Sequence, residues 1–195
     1  HKYIWDVETC TAAAKGGHIE VLKWARENKC DWNKSTSEAA MLGGHLELLK
    51  WAIDNGCPKK SGQMCIYAAL SGNLECLKYA RNMRWRWDQF VSCVAALKGH
   101  LNILEWVYQK KYHCNWQIYA DAASGGHLHI LKWAHRHNIP FVEGACYCAA
   151  KNGHLEVLIW LISNGCPWDK LKCLEVAQFA KQYDVIELIN EKLKQ

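Results

Sequence analysis

A glycine-centred motif followed by an apolar, helix-like run recurs at a nearly constant interval along the chain. We call this glycine the anchor of its repeat, and successive anchors are 27, 28, 27, 27 and 27 residues apart. The anchors are Gly17, Gly44, Gly72, Gly99, Gly126 and Gly153, and Lys181 takes this place in a seventh, degenerate copy. A fixed period of this length predicts an array of stacked units, because one such unit is too small to bury a core alone.

Each repeat predicts two short helices, which we name helix A and helix B. An alanine lies four residues before every anchor, where a methyl group lets a neighbouring backbone approach closely; these are Ala13, Ala40, Ala68, Ala95, Ala122, Ala149 and Ala177. The anchor then ends helix A in the left-handed conformation that glycine tolerates best. Helix B has an apolar arc of about 220°, which indicates a helix buried between the preceding and the following repeat.

The chain contains 11 Trp, 11 Cys and 10 His among 195 residues, and the repeat accounts for this excess. We assign the tryptophans to two repeat positions, one seven residues after the anchor and one in the connector. Rings that recur in every repeat favour packing between repeats, with ligand stacking as the alternative. The odd number of cysteines, without paired CxxC clusters, predicts a reduced, intracellular protein of the cytoplasm or nucleus.

Two further patterns predict local structure. Four polar residues precede helix A and suit its N-cap: Asp6, Asn33, Asp88 and Asp169. A Glu-x-x-Lys pattern recurs on helix B, as in Glu20 with Lys23, and predicts a solvated face with ion pairs three residues apart.

The motif A-A-x-x-G-H-L-E-V-L-K-W resembles the A-A-x-x-G-H-x-E-V-V-K-L-L core of ankyrin repeats over nearly the whole chain. Ankyrin repeats run about 33 residues with a T-P-L-H opening, whereas here the period is shorter, T-P-L-H is absent, and C-P-W-D stands in a connector. This short form is similar to ankyrin-like arrays of giant DNA viruses of amoebae and of some protists and oomycetes. The predicted fold is an all-α, ankyrin-like helix-turn-helix solenoid with shortened or absent β-hairpin fingers.

We expect a single repeat domain over residues 1–195. It comprises a partial repeat at 1–6, six repeats at about 7–33, 34–60, 61–88, 89–116, 117–142 and 143–169, and a C-terminal cap at 170–195. The segment at 2–6 resembles the end of a preceding repeat, so further repeats are expected upstream. Asn190, Glu191 and Lys192 supply the polar outer face that a cap needs.

The resemblance implies a non-enzymatic scaffold for protein–protein interaction, which in such viruses is often fused to an F-box. No F-box-like segment is visible in these residues. The sequence also lacks a glycine-rich phosphate-binding loop, an H-E-x-x-H motif and a recurrent acidic pair, so no enzyme is predicted. The alternative is a structural or assembly component, for example of a virion, and a stable homo-oligomer would favour that class.

Helix A carries the first candidate binding surface. Residues two and six before the anchor share one helix face, and the position two before holds Lys15, Leu42, Leu70, Leu97, Ser124, Lys151 and Phe179. Together with Ile66 and Tyr67, the three leucines of this set predict a hydrophobic stripe that binds a partner segment. The alternative is packing of helix A against the neighbouring helix A.

The connectors carry a second candidate surface, which we name the basic connector patch. It consists of Lys59, Lys60, Arg81, Arg84, Arg86, Lys110 and Lys111. Trp85 and Trp87 are interleaved with these residues, and basic side chains beside aromatic rings bind phosphates and stack on bases. An acidic protein and, as a further alternative, a nucleic acid are therefore candidate partners. The connector of the fourth repeat is also expected to be lengthened at 110–112, which makes it a local landmark for a partner.

No cofactor or metal is predicted. The densest group of metal-binding residue types is His127, His129, His135 and His137 with Cys146 and Cys148. Some of these are repeat positions, and no histidine pair has the i,i+4 spacing of a helical zinc site. The sequence has no run of about 18 apolar residues and no charged-then-apolar leader, so neither a membrane span nor a signal peptide is expected.

Overall fold

The computed structural model describes residues 6–59, 62–112, 117–142 and 144–194, and within these ranges the chain forms fourteen α-helices and no β-strand. The helices A are α1 (Val7–Lys15), α3 (Lys34–Leu42), α5 (Met64–Ser71), α7 (Phe90–Lys98), α9 (Ile118–Gly125), α11 (Gly144–Asn152) and α13 (Lys170–Phe179). The helices B are α2 (Ile19–Glu27), α4 (Leu46–Asp54), α6 (Leu74–Asn82), α8 (Leu101–Gln109), α10 (Leu128–Arg136), α12 (Leu155–Ser163) and α14 (Tyr183–Leu193). The all-α helical repeat array is confirmed.

The chain divides into two compact units, 1–91 and 92–195, and the division falls inside α7. In the first unit α1 packs on α3 and α3 on α5, and in the second α9 packs on α11 and α11 on α13. Successive helices A therefore stack directly on one another within each unit. The alanines four residues before the anchors permit this, since each of them is at most 5% exposed.

Both helices of a repeat end in a left-handed residue. The six anchor glycines have φ between 73° and 81°, and Lys181 has φ 58°. Except in the third repeat, the residue after the anchor donates its N–H to the carbonyl of the alanine four residues before that anchor, as from His18 to Ala13 at 2.9 Å. These bonds satisfy carbonyls that the helix end leaves open, and they confirm the predicted C-cap. In the third repeat the Asn73 N–H donates to the Ser71 hydroxyl instead.

Helix B ends in the same way, with positive φ at Lys29, Gly56, Arg84, Lys111, Asn138 and Gly165. The Tyr112 N–H donates to the carbonyl of Val107 at 3.1 Å, as the Cys30 N–H donates to that of Ala25 at 2.9 Å. The turn at 110–112 thus has the same length as in the other repeats. The lengthening expected there is wrong, because Tyr112 takes the place that Cys30 has in its own repeat.

Local polar chemistry follows the sequence pattern. The Asn33 side chain accepts a hydrogen bond from the Ser35 N–H at 2.8 Å, and Asp6, Asp88 and Asp169 accept similar bonds at the starts of their helices. The predicted ion pairs are present at 2.7–2.8 Å, with largely exposed carboxylates. Exposed pairs of this kind contribute little to stability and mark a solvated face.

The aromatic rings pack across consecutive repeats, as their recurrence predicts. Trp51 contacts Trp32 of the preceding connector edge-on, with ring centroids 5.8 Å apart. Trp160 contacts Phe141 in the same way, with ring centroids 6.3 Å apart. Trp85 belongs to neither predicted ring position. It lies thirteen residues after its anchor, the place that Cys30, Cys57 and Cys166 occupy in other repeats, and is only 4% exposed.

Candidate partner-binding surfaces

The exposed side of the helices A, which we name the A-face, carries large apolar side chains. Two residues before their anchors, Leu42 is 37% and Leu97 is 38% exposed, and Phe179 at the equivalent place in α13 is 89% exposed. These side chains remain exposed although the helices beneath them stack through alanine. The stacking of α3 in the first unit, and of α13 in the second, therefore does not require them.

In the first unit the A-face combines Leu42 on α3 with Ile66, Tyr67 and Leu70 on α5. The last three are half-buried. The Tyr67 hydroxyl donates to the Gln63 side-chain oxygen at 2.9 Å, and burial raises the pKa of that phenol, which therefore stays a neutral donor. The predicted stripe thus has an exposed edge and a half-buried centre, and binding of a partner there stays a prediction.

In the second unit the A-face adds a carboxyl group to its apolar side chains. Cys93 lies four residues before Leu97 on α7, and its thiol hydrogen-bonds the Asp121 carboxyl on α9. The other carboxyl oxygen, Oδ2, is buried and has no hydrogen-bond partner among the described residues. Burial raises the pKa of Asp121, the Cys93 bond opposing it.

A groove lies between α11 and α13, also in the second unit. It encloses about 440 Å³ and is lined by Tyr147, Lys172, Glu175, Val176 and Phe179. Tyr147, one of the lining residues, is 40% exposed. Phe179 occupies the same repeat position as Leu42, Leu70 and Leu97, but the predicted stripe was limited to the three consecutive repeats that have leucine there. The aromatic residue at the same repeat position was the signal that would have extended the surface.

The basic connector patch is only partly available. Arg81 donates to the carbonyl of Trp85 at 3.0 Å and stacks over the Trp87 ring at 5.4 Å, so its guanidinium takes part in the connector itself. Arg26 makes the equivalent contacts with Cys30 and Trp32 in the first repeat. Trp85 is buried and offers no face to a base, which removes one of the two interleaved rings from the predicted surface.

The remaining basic residues that the structure describes are exposed, but they lie in different units. Lys59, Arg84 and Arg86 belong to the first unit, Lys110 and Lys111 to the second, and Lys60 lies outside the described residues. Arg84 and Lys111 also hold the left-handed turns after their helices B. Binding of an acidic protein or a nucleic acid by these residues stays a prediction; strong weakening of binding by salt, whatever the base sequence, would favour the nucleic acid.

Within each unit, several side chains that follow an anchor tie their repeat to the preceding one. The His45 ring nitrogen Nε2 contacts the carbonyl of Lys15 at 3.1 Å, and that of His127 contacts the carbonyl of Leu97 at 3.0 Å. Asn73 replaces histidine in the third repeat and donates from its side chain to the carbonyl of Gly44 at 2.8 Å. These side chains have a structural use at the seam between repeats.

The histidine group named as the densest metal candidate is held by backbone contacts. Nε2 of His129 contacts the carbonyl of Gly99 at 3.1 Å, and Nδ1 of His137 contacts that of Trp133 at 2.9 Å. Within the described part of the chain, no group of three or more His, Cys, Asp or Glu residues could hold a metal ion. A search of the same residues finds no helix long and apolar enough to cross a membrane.

Comparison with known protein families finds a similarity in two segments of the chain. The sequence profile described as ankyrin repeats (many copies) matches residues 37–81 and 119–162. Each matched segment begins within a helix A, ends within the helix B of the next repeat, and contains two anchor glycines. These two segments are similar to ankyrin repeats, and repeats of that kind generally mediate protein–protein interaction and are generally non-enzymatic. Comparison with curated proteins finds no match.

Proposed function

We propose that this chain is a non-enzymatic protein-binding module that holds a segment of a protein partner on its A-face. One observation carries the proposal: apolar side chains at one repeat position stay exposed while the helices that bear them stack directly. Leu42 is the case in the first unit, and Leu97 and Phe179 are the cases in the second. Exposed apolar surface in a water-soluble array is costly unless a partner covers it.

The chemistry of the A-face restricts the partner segment. Leucine, isoleucine and aromatic side chains favour apolar anchors on the partner, spaced to meet successive helices A. Polar tips such as the Tyr67 hydroxyl would fix the orientation of the bound segment.

The test compares single Asp substitutions on two faces of the array. Leu42→Asp and Phe179→Asp change exposed A-face residues, and Ile159→Asp is the matched control, because Ile159 is 44% exposed on the helix B α12. Affinity capture from the native source cell, followed by binding measurements with the captured protein, gives the readout. Circular dichroism verifies that each variant is folded.

We expect at least one A-face variant to weaken binding about tenfold or more, because burying a leucine contributes about 1.5–3 kcal/mol. The Ile159→Asp control should bind as the parent chain does. Equal binding by all three variants would remove the A-face as the site. Leu70→Asp adds a separate test of the half-buried centre: loss of folding would show that this part of the stripe is packing, and retained folding with lost binding would assign it to the site.

An assembly component remains the alternative function, since the same exposed leucines could bury themselves against a second copy. Light scattering across a concentration series distinguishes the two. A homo-oligomer that Leu42→Asp dissociates would favour assembly, and a monomer at all concentrations would favour the binding module.

A further inference from the structure

Two pairs of cysteines occupy the same two places in different repeats. Cys10 lies seven residues before its anchor and Cys30 thirteen after it, and their sulfur atoms are 3.2 Å apart. Cys146 and Cys166 take the equivalent places in the sixth repeat. Each pair joins the first turn of a helix A to the end of the same repeat, beyond helix B.

The repeat does not require two thiols at these places. The intervening repeats have Ser37 with Cys57, Cys65 with Trp85, Ser92 with Tyr112, and Tyr119 with Ile139. In the second repeat the Ser37 hydroxyl donates to the carbonyl of Pro58 at 2.8 Å. A serine can therefore make the contact between helix A and the connector of its own repeat. Packing alone therefore does not explain why both thiols occur together in the first and sixth repeats.

All four thiols are within the core. Their exposed fractions are 0% for Cys10, 1% for Cys30, 0% for Cys146 and 3% for Cys166. They are free thiols that contact one another or backbone carbonyls; the Cys30 sulfur lies 2.9 Å from the carbonyl oxygen of Asp6. The two sulfurs of the first pair are already in contact, so a bond between them needs a small movement of two side chains.

We propose that each pair is a dithiol site for hydrogen peroxide, which converts it to a disulfide within one repeat. The thiolate of one cysteine attacks a peroxide oxygen, the O–O bond breaks, and the released hydroxide takes up a proton as water. The resulting sulfenic acid is attacked by the second thiol, the S–S bond forms, the S–O bond breaks, and a second water leaves. The two sulfurs lose two electrons in all, and one peroxide is reduced to two waters.

The surroundings of the first pair assign different roles to its two thiols. In the first pair, burial and the bond to Cys30 raise the pKa of Cys10 to about 12, which makes Cys10 the thiol of the second step. Because the thiols are buried, the reaction proceeds through local opening of the repeat and is slow.

The disulfides would stabilise two separate repeats. Each closes a loop that contains a complete helix pair and so restricts the unfolded chain more than the folded one. The bonds lie beneath the surface and leave the A-face leucines unchanged. This inference is therefore independent of the proposed binding function.

The experiment exposes the folded full chain to hydrogen peroxide, removes the peroxide with catalase, and alkylates remaining thiols in denaturant before peptide mass spectrometry. We expect linked peptides that join Cys10 to Cys30 and Cys146 to Cys166, each link removing two of the 11 thiols. The midpoint of thermal unfolding should rise and return to its starting value with dithiothreitol. Cys10→Ser should remove the first link alone, and Cys57→Ser, the matched control outside both pairs, should remove neither.

Three outcomes would overturn the proposal. They are thiols that stay unmodified, thiols lost as sulfinic or sulfonic acids without links, and links that join cysteines of different pairs as often as those within a pair. A failure of Cys10→Ser to fold is not expected, because serine is the natural residue at this place in the second repeat. The reciprocal variant Cys146→Ser, which should retain only the first link, provides an independent measurement.

Discussion

Replacing Gly43 with alanine tests the close approach of successive helices A. Gly43 ends α3 with φ −76°, a conformation that alanine adopts freely, so the substitution causes no backbone strain. A methyl group built there would lie 2.5 Å from the carbonyl oxygen of Lys15 in the preceding repeat and 2.6 Å from Cδ2 of His45. That carbonyl is the one His45 contacts through Nε2 at 3.1 Å. One methyl group therefore disturbs both the contact and the hydrogen bond between two repeats.

The expected effect is a loss of about 1–3 kcal/mol in the free energy of unfolding. Overpacking costs about 1–3 kcal/mol, and weakening the hydrogen bond costs about 1 kcal/mol more. The higher helix propensity of alanine offsets about 1 kcal/mol of this total. Urea unfolding followed by the circular dichroism of the helices measures the difference.

Gly144→Ala is the matched control, because no atom lies within 4 Å of the methyl group it would add. This variant should be as stable as the parent chain or slightly more stable. Gly125→Ala repeats the test in the second unit, where the added methyl group would meet the carbonyl of Leu97. If Gly43→Ala matched or exceeded the stability of the parent, the seam between helices A would be loose and the reasoning wrong.

Three further predictions concern a cap and two titratable groups. Asn33→Ala should lower the free energy of unfolding by about 1 kcal/mol, because α3 loses the hydrogen bond to the Ser35 N–H; an unchanged urea midpoint would contradict this. Asp121→Asn should raise stability at neutral pH: burial raises the pKa of the carboxyl, so the folded chain binds the proton more tightly and stability falls as the pH rises above 3.8. Urea unfolding should show the gain at pH 7 and not in acid; equal stability at pH 7 would refute it. The pH dependence expected from His127 has the opposite direction: burial lowers the pKa of its ring, so the free energy of unfolding decreases as the pH falls below 6.5. His127→Asn, which copies Asn73, should flatten this loss in thermal unfolding at a series of pH values, and an unchanged profile would exclude His127 as the cause.

Features set by a few neighbouring residues followed directly from the sequence. The left-handed anchors, the N-caps and the ion pairs of helix B depend on the conformational range of glycine and on hydrogen bonds over three or four residues. The helix A positions that form the A-face were also predicted from the sequence. The exposure of each side chain was not, since Leu42 is exposed and Leu70 is half-buried at the same repeat position.

The basic connector patch shows why the exposure and contacts of individual side chains could not be predicted from the sequence. Arg81 and Trp85 are a basic and an aromatic residue in a connector, and such a composition fits a binding surface. The structure instead buries Trp85 and uses Arg81 to hold its carbonyl. Whether a side chain binds a ligand or its own connector depends on which atoms the folded chain brings near it.

The sequence by itself determined the period, the two helices of each repeat and where they end, because these follow from local hydrogen bonding and backbone dihedral angles. Tertiary structure alone decided that Leu97 stays exposed, that Oδ2 of Asp121 is left unpaired, and that Cys10 and Cys30 meet at 3.2 Å. These three facts involve contacts with other helices or with residues far along the chain. Such contacts depend on how helices pack, and a repeat pattern that fixes the frame leaves the side chains between its fixed positions free to differ.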